Sequence, residues 1–428
     1  MRRALALAAI LLVAGCSRTS EQTISHGRFE QVVVVRHSGD VQSVVVLFSD
    51  GAGWDDRARQ LARKLAAKHT LVIGVALPKF YAELEKDTGG CQFSDGDIEN
   101  LSHFVQAYIK LPGYFPPVLM GYGEGAAFAY ANFAQAPPGP FSGVVTMGLK
   151  PHLRLKSELC AGDQLVTHKS ADGFDIVMPQ PPLVDSAQLA DATDVAALSD
   201  PIEKFSAGHR PSPPELPKEV ADLPLIEMSS DVKPGQPIAI FWSGDGGWAG
   251  LDEEVAGELD GRVGVVGVDS LRYFWNERTP DDLAKDLDRI VRAYATKWKS
   301  SKILLIGFSQ GADVLPFGVT RLSADVRQKI AAVVAMSLGR HAAFEFHLSN
   351  WVSSVKSDYD TFAEVQKIRG PRVICIFGTE DDESVCPDLR AKGANVIELP
   401  GSHHFDGDYS KLAEEILKAV GIASAKGS

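Results

Sequence analysis

Residues 44–54 (VVVLFSDGAGW) read like residues 238–248 (IAIFWSGDGGW), and the likeness continues down the chain. Residues 71–75 (LVIGV) recur as 263–268 (VGVVGV), 118–125 (VLMGYGEG) as 304–311 (LLIGFSQG), and 144–149 (VVTMGL) as 333–338 (VVAMSL). A looser echo links 203–209 (EKFSAGH) to 398–404 (ELPGSHH). The blocks keep their order at offsets between 186 and 195 residues, so the chain carries one unit twice. In each copy, short Val/Ile/Leu-rich runs alternate with helical patterns. That alternation is how a parallel sheet wrapped by helices is encoded, so two tandem α/β domains are expected. The copies span residues 26–209 and 223–428, and the Pro-rich segment 210–222 joins them.

The most regular helix is expected over 281–299. Thr279 can cap it, Pro280 suits its first turn, and Asp282 completes a capping box. Leu283, Leu287, Ile290, Val291, Tyr294 and Trp298 then share one face.

Directly after that helix, residues 302–313 (KILLIGFSQGAD) turn from a buried-strand pattern into Gly-x-Ser-x-Gly. Such a turn is sharp and strained, and it lifts a serine hydroxyl over the carboxyl end of the sheet. Ser309 is therefore the candidate nucleophile. The first copy has Gly123 at this position and cannot run serine chemistry there; it reads as a degenerate, structural or regulatory copy.

A serine nucleophile of this kind needs an acid and then a histidine later in the chain. Residues 372–377 (RVICIF) read as a strand ending in Gly378, Thr379, Glu380, Asp381 and Asp382. The Gly-x-x-Asp spacing favours Asp381, with Glu380 and Asp382 as rivals. After a last strand, residues 400–405 (PGSHHF) offer two histidines. Gly-x-x-His followed by Phe favours His404 over His403 as the base. Adjacent histidines point apart and chelate poorly, and no zinc-type spacing is present, so neither metal nor cofactor is expected. An oxyanion hole requires two convergent N–H groups. Gln310 should supply one, and the Gly-rich loop 243–248 the other, from Gly244 or Asp245.

The chain opens with Met1-Arg2-Arg3 and the apolar run 4–13, too short for a membrane span of about 20 residues but fitting a signal peptide over 1–15. Residues 12–16 (LVAGC) resemble the bacterial lipobox, which implies lipidation of Cys16. Ser17 after it suits outer-membrane sorting, so the expected address is a periplasmic lipoprotein. Cys91, Cys160, Cys375 and Cys386 remain, an even set suited to disulfides in an oxidising compartment. Cys91–Cys160 and Cys375–Cys386 keep each pair within one copy. A net charge of −12 argues against nucleic acid as a partner.

The duplicated layout, residues 241–248 (FWSGDGGW), 307–313 (GFSQGAD) and 401–405 (GSHHF) together resemble the AcvB/VirJ family of bacterial virulence proteins. The likeness is strongest over 223–428. It implies an exported α/β-hydrolase fold and hydrolysis of lysyl-phosphatidylglycerol, an aminoacylated phospholipid, with Ser309 attacking the ester and His404 serving as base. The same family is linked to type IV secretion, which leaves a non-catalytic envelope adaptor as an alternative, beside an esterase for other small esters. A lysyl ester is cationic; Asp313, Asp245 and Asp269 are candidate ammonium partners, and Trp248 is a candidate substrate contact.

Overall fold

The computed structural model describes residues 19–423 apart from 88–89, 163, 191–194, 212–214 and 346–358. The signal peptide and Cys16 lie outside the described residues. The chain divides into two compact units. One runs to Ile98 and from Phe115 to Arg210; the other takes Glu99–Tyr114 together with the chain from Pro211 onward. Residues 99–114 thus group with the second unit although they lie within the first repeat in sequence.

The second unit holds a seven-stranded sheet in the order Leu225–Glu227, Gly264–Val268, Ile238–Trp242, Ile303–Phe308, Ile330–Met336, Arg372–Gly378, Asn395–Leu399. Leu225–Glu227 pairs antiparallel with its neighbour, and every other pairing is parallel. The central strands Ile238–Trp242 and Ile303–Phe308 are buried along their whole length, which is why they read as unbroken apolar runs. All parallel strands end on one side, and that side carries every candidate catalytic loop.

Helix Pro280–Lys297 covers one face of this sheet. Thr279 Oγ1 accepts from the Asp282 N–H at 3.1 Å and the Thr279 N–H donates to Asp282 Oδ2 at 3.1 Å, closing the expected capping box. Leu283, Leu287, Ile290, Val291 and Tyr294 are fully buried and Trp298 nearly so, as the helical spacing predicts.

The first unit has its own seven-stranded sheet: Thr19–His26, Phe29–His37, Thr70–Val75, Ser43–Phe48, Val118–Tyr122, Gly143–Met147, Ser186–Leu189. From Phe29–His37 onward the order and directions repeat those of the second unit. A small antiparallel sheet of Thr167–Ser170, Gly173–Ile176 and His152–Leu153 is an addition of the first unit.

The repeat extends to individual contacts. A Cβ on Gly267 would lie 2.5 Å from the Trp248 ring, and one on Gly74 would lie 2.0 Å from the Trp54 ring. In both units a glycine lets the strand accept a tryptophan from the neighbouring loop. One expected correspondence fails: residues 203–207 belong to helix Val195–Ala207, whereas Asn395–Leu399 is a strand. Among the described residues the first sheet ends at Ser186–Leu189, so it has no counterpart of the strand that leads to His403 and His404.

Cys91 is joined to Cys160, and Cys375 to Cys386. The second bond ties strand Arg372–Gly378 to helix Cys386–Arg390, on either side of the loop that carries Asp381.

Candidate active site

Strand Ile303–Phe308 ends at Ser309, and helix Gln310–Arg321 begins at the next residue. Ser309 adopts φ 51° and ψ −121°, a conformation that costs a non-glycine residue about 1–3 kcal/mol. Its N–H donates to the Met336 carbonyl at 3.0 Å, which helps to hold it there. Gly307 and Gly311 make the turn sterically possible. A Cβ on Gly307 would lie 2.5 Å from the Gly311 carbonyl oxygen, and one on Gly311 would lie 2.3 Å from the Trp242 carbonyl oxygen. Gly123 repeats the conformation in the first unit, with φ 59° and ψ −124°. The elbow geometry therefore survives there without its serine.

The loops from neighbouring strands converge on Ser309. Gly244 is close enough that a Cβ there would lie 3.6 Å from the Ser309 Cβ. The ring of Phe308, next to Ser309, has its centroid 5.4 Å from those of both His403 and His404.

His403 Nδ1 lies 3.2 Å from Asp381 Oδ2. The Asp381 side chain is 3 % exposed, whereas Glu380 and Asp382 are exposed. Of the three candidate acids in that turn, Asp381 is the one that faces an imidazole. The sequence favoured His404 as the paired histidine; in the structure it is His403 that meets Asp381. The cause lies in the backbone. A Cβ on Gly378 would lie 2.1 Å from the Ser402 carbonyl oxygen and 2.4 Å from that of Gly401, so the absence of a side chain lets the histidine loop press onto the strand end. Ser337 Oγ donates to the His403 carbonyl at 3.0 Å and fixes the loop from the other side. In the sequence Gly378 served only to mark the spacing to Asp381, and Ser337 did not stand out as part of the site.

The first unit shows what the backbone donors of the loop equivalent to 243–248 can hold. Asp50 Oδ1 accepts the N–H of Gly51 and the N–H of Glu124, both at 2.8 Å. Two backbone donors thus converge on a single carboxylate oxygen, as they would on an oxyanion. A Cβ on Gly123 would lie 2.2 Å from that oxygen, so a serine could not share the space. By the repeat, Asp50 corresponds to Gly244, Gly51 to Asp245, Gly123 to Ser309 and Glu124 to Gln310. In the second unit Gly244 has no side chain to fill the position, and the equivalent donors are the N–H groups of Asp245 and Gln310. The loop itself is braced by Ser243 Oγ, which accepts from the Ser270 N–H at 3.0 Å, and by Ser270 Oγ, which donates to the Ser243 carbonyl at 2.6 Å.

Asp245 lies on the loop 243–248 with its surface accessible, yet crowding by surrounding atoms pushes its carboxyl pKa up, an effect that its own backbone N–H and the nearby His403 oppose. Asp313 lies one turn beyond Ser309, where its Oδ1 accepts the Gly339 N–H at 2.7 Å. Asp269 caps the short helix Ser270–Tyr273 and pairs with Arg272 at 3.2 Å, so its carboxylate is committed. Trp248 is buried against Gly267 and Phe241, a core position rather than a surface a substrate would touch.

Among the described residues, no helix is long and apolar enough to cross a membrane. No curated relative matches the chain. Among solved structures, Est1E from Butyrivibrio proteoclasticus is 18% identical and aligns over 46% of this chain and 92% of its own, with a TM-score of 0.35. The type II thioesterase BorB from the borrelidin biosynthetic cluster is 17% identical over 47% of this chain and 97% of its own, with a TM-score of 0.34. A putative dienelactone hydrolase from Klebsiella pneumoniae is 14% identical over 45% and 89%, with a TM-score of 0.31. Residues 236–423 match the family described as "Bacterial virulence protein (VirJ)". The second half of this chain, with its elbow and its parallel sheet, is thus similar to the VirJ family over residues 236–423 and has an α/β-hydrolase fold.

Proposed function

We propose that this protein is an exported serine hydrolase that cleaves the aminoacyl ester of lysyl-phosphatidylglycerol and releases lysine. The observation that carries the proposal is the convergence on Ser309: a strained elbow, a histidine paired with a buried aspartate, and an oxyanion loop left open by Gly244. The His403–Asp381 pairing uses Nδ1, which leaves Nε2 as the acceptor for the Ser309 proton.

In the first half-reaction Ser309 Oγ attacks the ester carbonyl while His403 takes its proton. The N–H groups of Gln310 and Asp245 stabilise the developing oxyanion; a single such donor is worth roughly 10²–10³ in rate. Collapse of the intermediate expels the phosphatidylglycerol hydroxyl, protonated by His403, and leaves a lysyl-enzyme. Water, deprotonated by His403, then cleaves that ester and frees lysine. Asp381 keeps the imidazole in the right tautomer and stabilises its protonated form.

The choice of substrate follows the family likeness and the acidic character of the site. The exposed Asp245 carboxylate is the ammonium partner in this reading. A lipid anchor at Cys16 would hold the enzyme in the periplasm against the membrane that carries its substrate. The hydrolase core of the proposal is checked by treating the mature protein with a fluorophosphonate and mapping the adduct by mass spectrometry. Modification of Ser309 is expected; an unmodified Ser309 in folded protein would contradict it.

A further inference from the structure

Asp313 has a place in this site that the mechanism above does not use. It sits on helix Gln310–Arg321 one turn beyond the nucleophile, its own N–H donating to the Ser309 carbonyl at 3.0 Å. Its side chain reaches away from that helix to the segment after strand Ile330–Met336, where Oδ1 accepts the Gly339 N–H at 2.7 Å. That segment in turn holds both partners of the triad. Ser337 Oγ donates to the His403 carbonyl at 3.0 Å. The Leu338 carbonyl accepts the Val385 N–H at 2.8 Å, at the far end of the loop that carries Asp381. Ser337 holds φ 51°, so the segment keeps its shape under strain and depends on its tethers.

We propose that Asp313 is a positioning residue: its carboxyl latches the elbow helix to residues 337–339 and so keeps His403 and Asp381 in register with Ser309. The inference rests on the serine-hydrolase reading above. It differs from a role in binding a substrate ammonium, because the oxygen that makes the latch is spent on a backbone N–H.

The latch works with a neutral carboxyl. Burial first, and then the charges of Asp245 and Asp381, push the Asp313 pKa up to about 8, while the Gly339 N–H opposes the rise. Asp245 lies on the loop after strand Ile238–Trp242 and Asp381 on the loop after strand Arg372–Gly378, so like charges face Asp313 from two sides. Below about pH 8 the partly buried carboxyl is protonated, and its carbonyl oxygen accepts from Gly339. Above about pH 8 it ionises and is repelled by Asp381. The sign for stability follows. The folded state retains the proton over a range where the unfolded chain, with an ordinary carboxyl near 3.9, has released it. The contribution of Asp313 therefore falls as pH rises from the unfolded value to about 8, and is flat beyond.

The test compares wild type, Asp313→Asn and Asp313→Ala in the full mature chain. It uses hydrolysis of p-nitrophenyl acetate from neutral to alkaline pH, fluorophosphonate labelling and thermal melting. Asparagine keeps a neutral acceptor for Gly339. Its variant should retain kcat within about twofold at neutral pH and lose any fall in activity centred near pH 8. Alanine removes the latch and should lower kcat roughly 10²-fold, the scale of a misplaced catalytic group, with KM little changed. An asparagine variant as impaired as alanine, or an alanine variant with wild-type kcat, would overturn the inference. Should melting show that alanine does not fold, the asparagine variant alone decides, through its rate and its pH profile. A folded wild type that neither hydrolyses the ester nor takes the label removes the hydrolase reading itself, and the latch with it.

Discussion

Replacing Gly244 by aspartate is expected to reduce ester hydrolysis by at least roughly 10³-fold, because it rebuilds in the second unit the blockage that the first unit already contains. There, Asp50 Oδ1 takes both converging N–H groups at 2.8 Å and leaves no room for a side chain at position 123. The same carboxylate at position 244 would occupy the donors of Asp245 and Gln310 and press on Ser309. Loss of one donor of this kind costs about 10²–10³ in rate; here both are lost. Gly244→Ala is the control. Its Cβ would lie 3.3 Å from the Phe308 ring and 3.6 Å from the Ser309 Cβ, tight but without reach into the hole. The alanine variant should therefore keep most activity and fluorophosphonate labelling, and the aspartate variant little of either. An aspartate variant within tenfold of wild type would show that the two loops are not equivalent.

His403→Gln is expected to lower kcat by roughly 10⁴-fold or more, the scale on which a triad histidine acts as a unit with its nucleophile. His404→Gln should change kcat by less than about tenfold. The difference arises because His403 Nδ1 faces the buried Asp381 carboxylate at 3.2 Å, which fixes its tautomer and supports its positive charge. For His404, burial and then the neighbouring His403 push the pKa down to about 4, and the Asp381 charge only partly opposes them. Steady-state kinetics on the two variants, with melting curves to confirm folding, separates them. The reverse ranking would place the base on His404 and would require the loop to turn over.

The architecture was legible because two independent signals agreed. The apolar runs gave the strands, and their repetition gave two sheets of like order. Thr279 and Asp282 marked the start of the longest helix of the second unit to within one residue. Ser309 was legible from its flanking glycines, whose need is purely steric. The choice within His403-His404 was not, since neighbouring residues on a loop differ in direction and direction depends on distant contacts with Gly378 and Ser337. Trp248 sat beside the oxyanion glycines in sequence, which suggested a substrate contact. Its pairing with Gly267, mirrored by Trp54 and Gly74, was the sequence signal for a core position. The likeness of 203–209 to 398–404 rested on few residues, and their secondary structures differ. The plugged hole of the first unit was written in the sequence as Asp50 opposite Gly244, but its meaning needs the positions of the Gly51 and Glu124 N–H groups.

The most direct test of the whole account is release of free lysine from vesicles containing lysyl-phosphatidylglycerol, with wild-type mature protein beside Ser309→Ala. The account predicts lysine release by the wild type and none above background from the alanine variant. Wild-type protein that hydrolyses p-nitrophenyl acetate through Ser309 yet releases no lysine from the vesicles would contradict the proposed substrate, and equal release by both proteins would contradict the proposed chemistry.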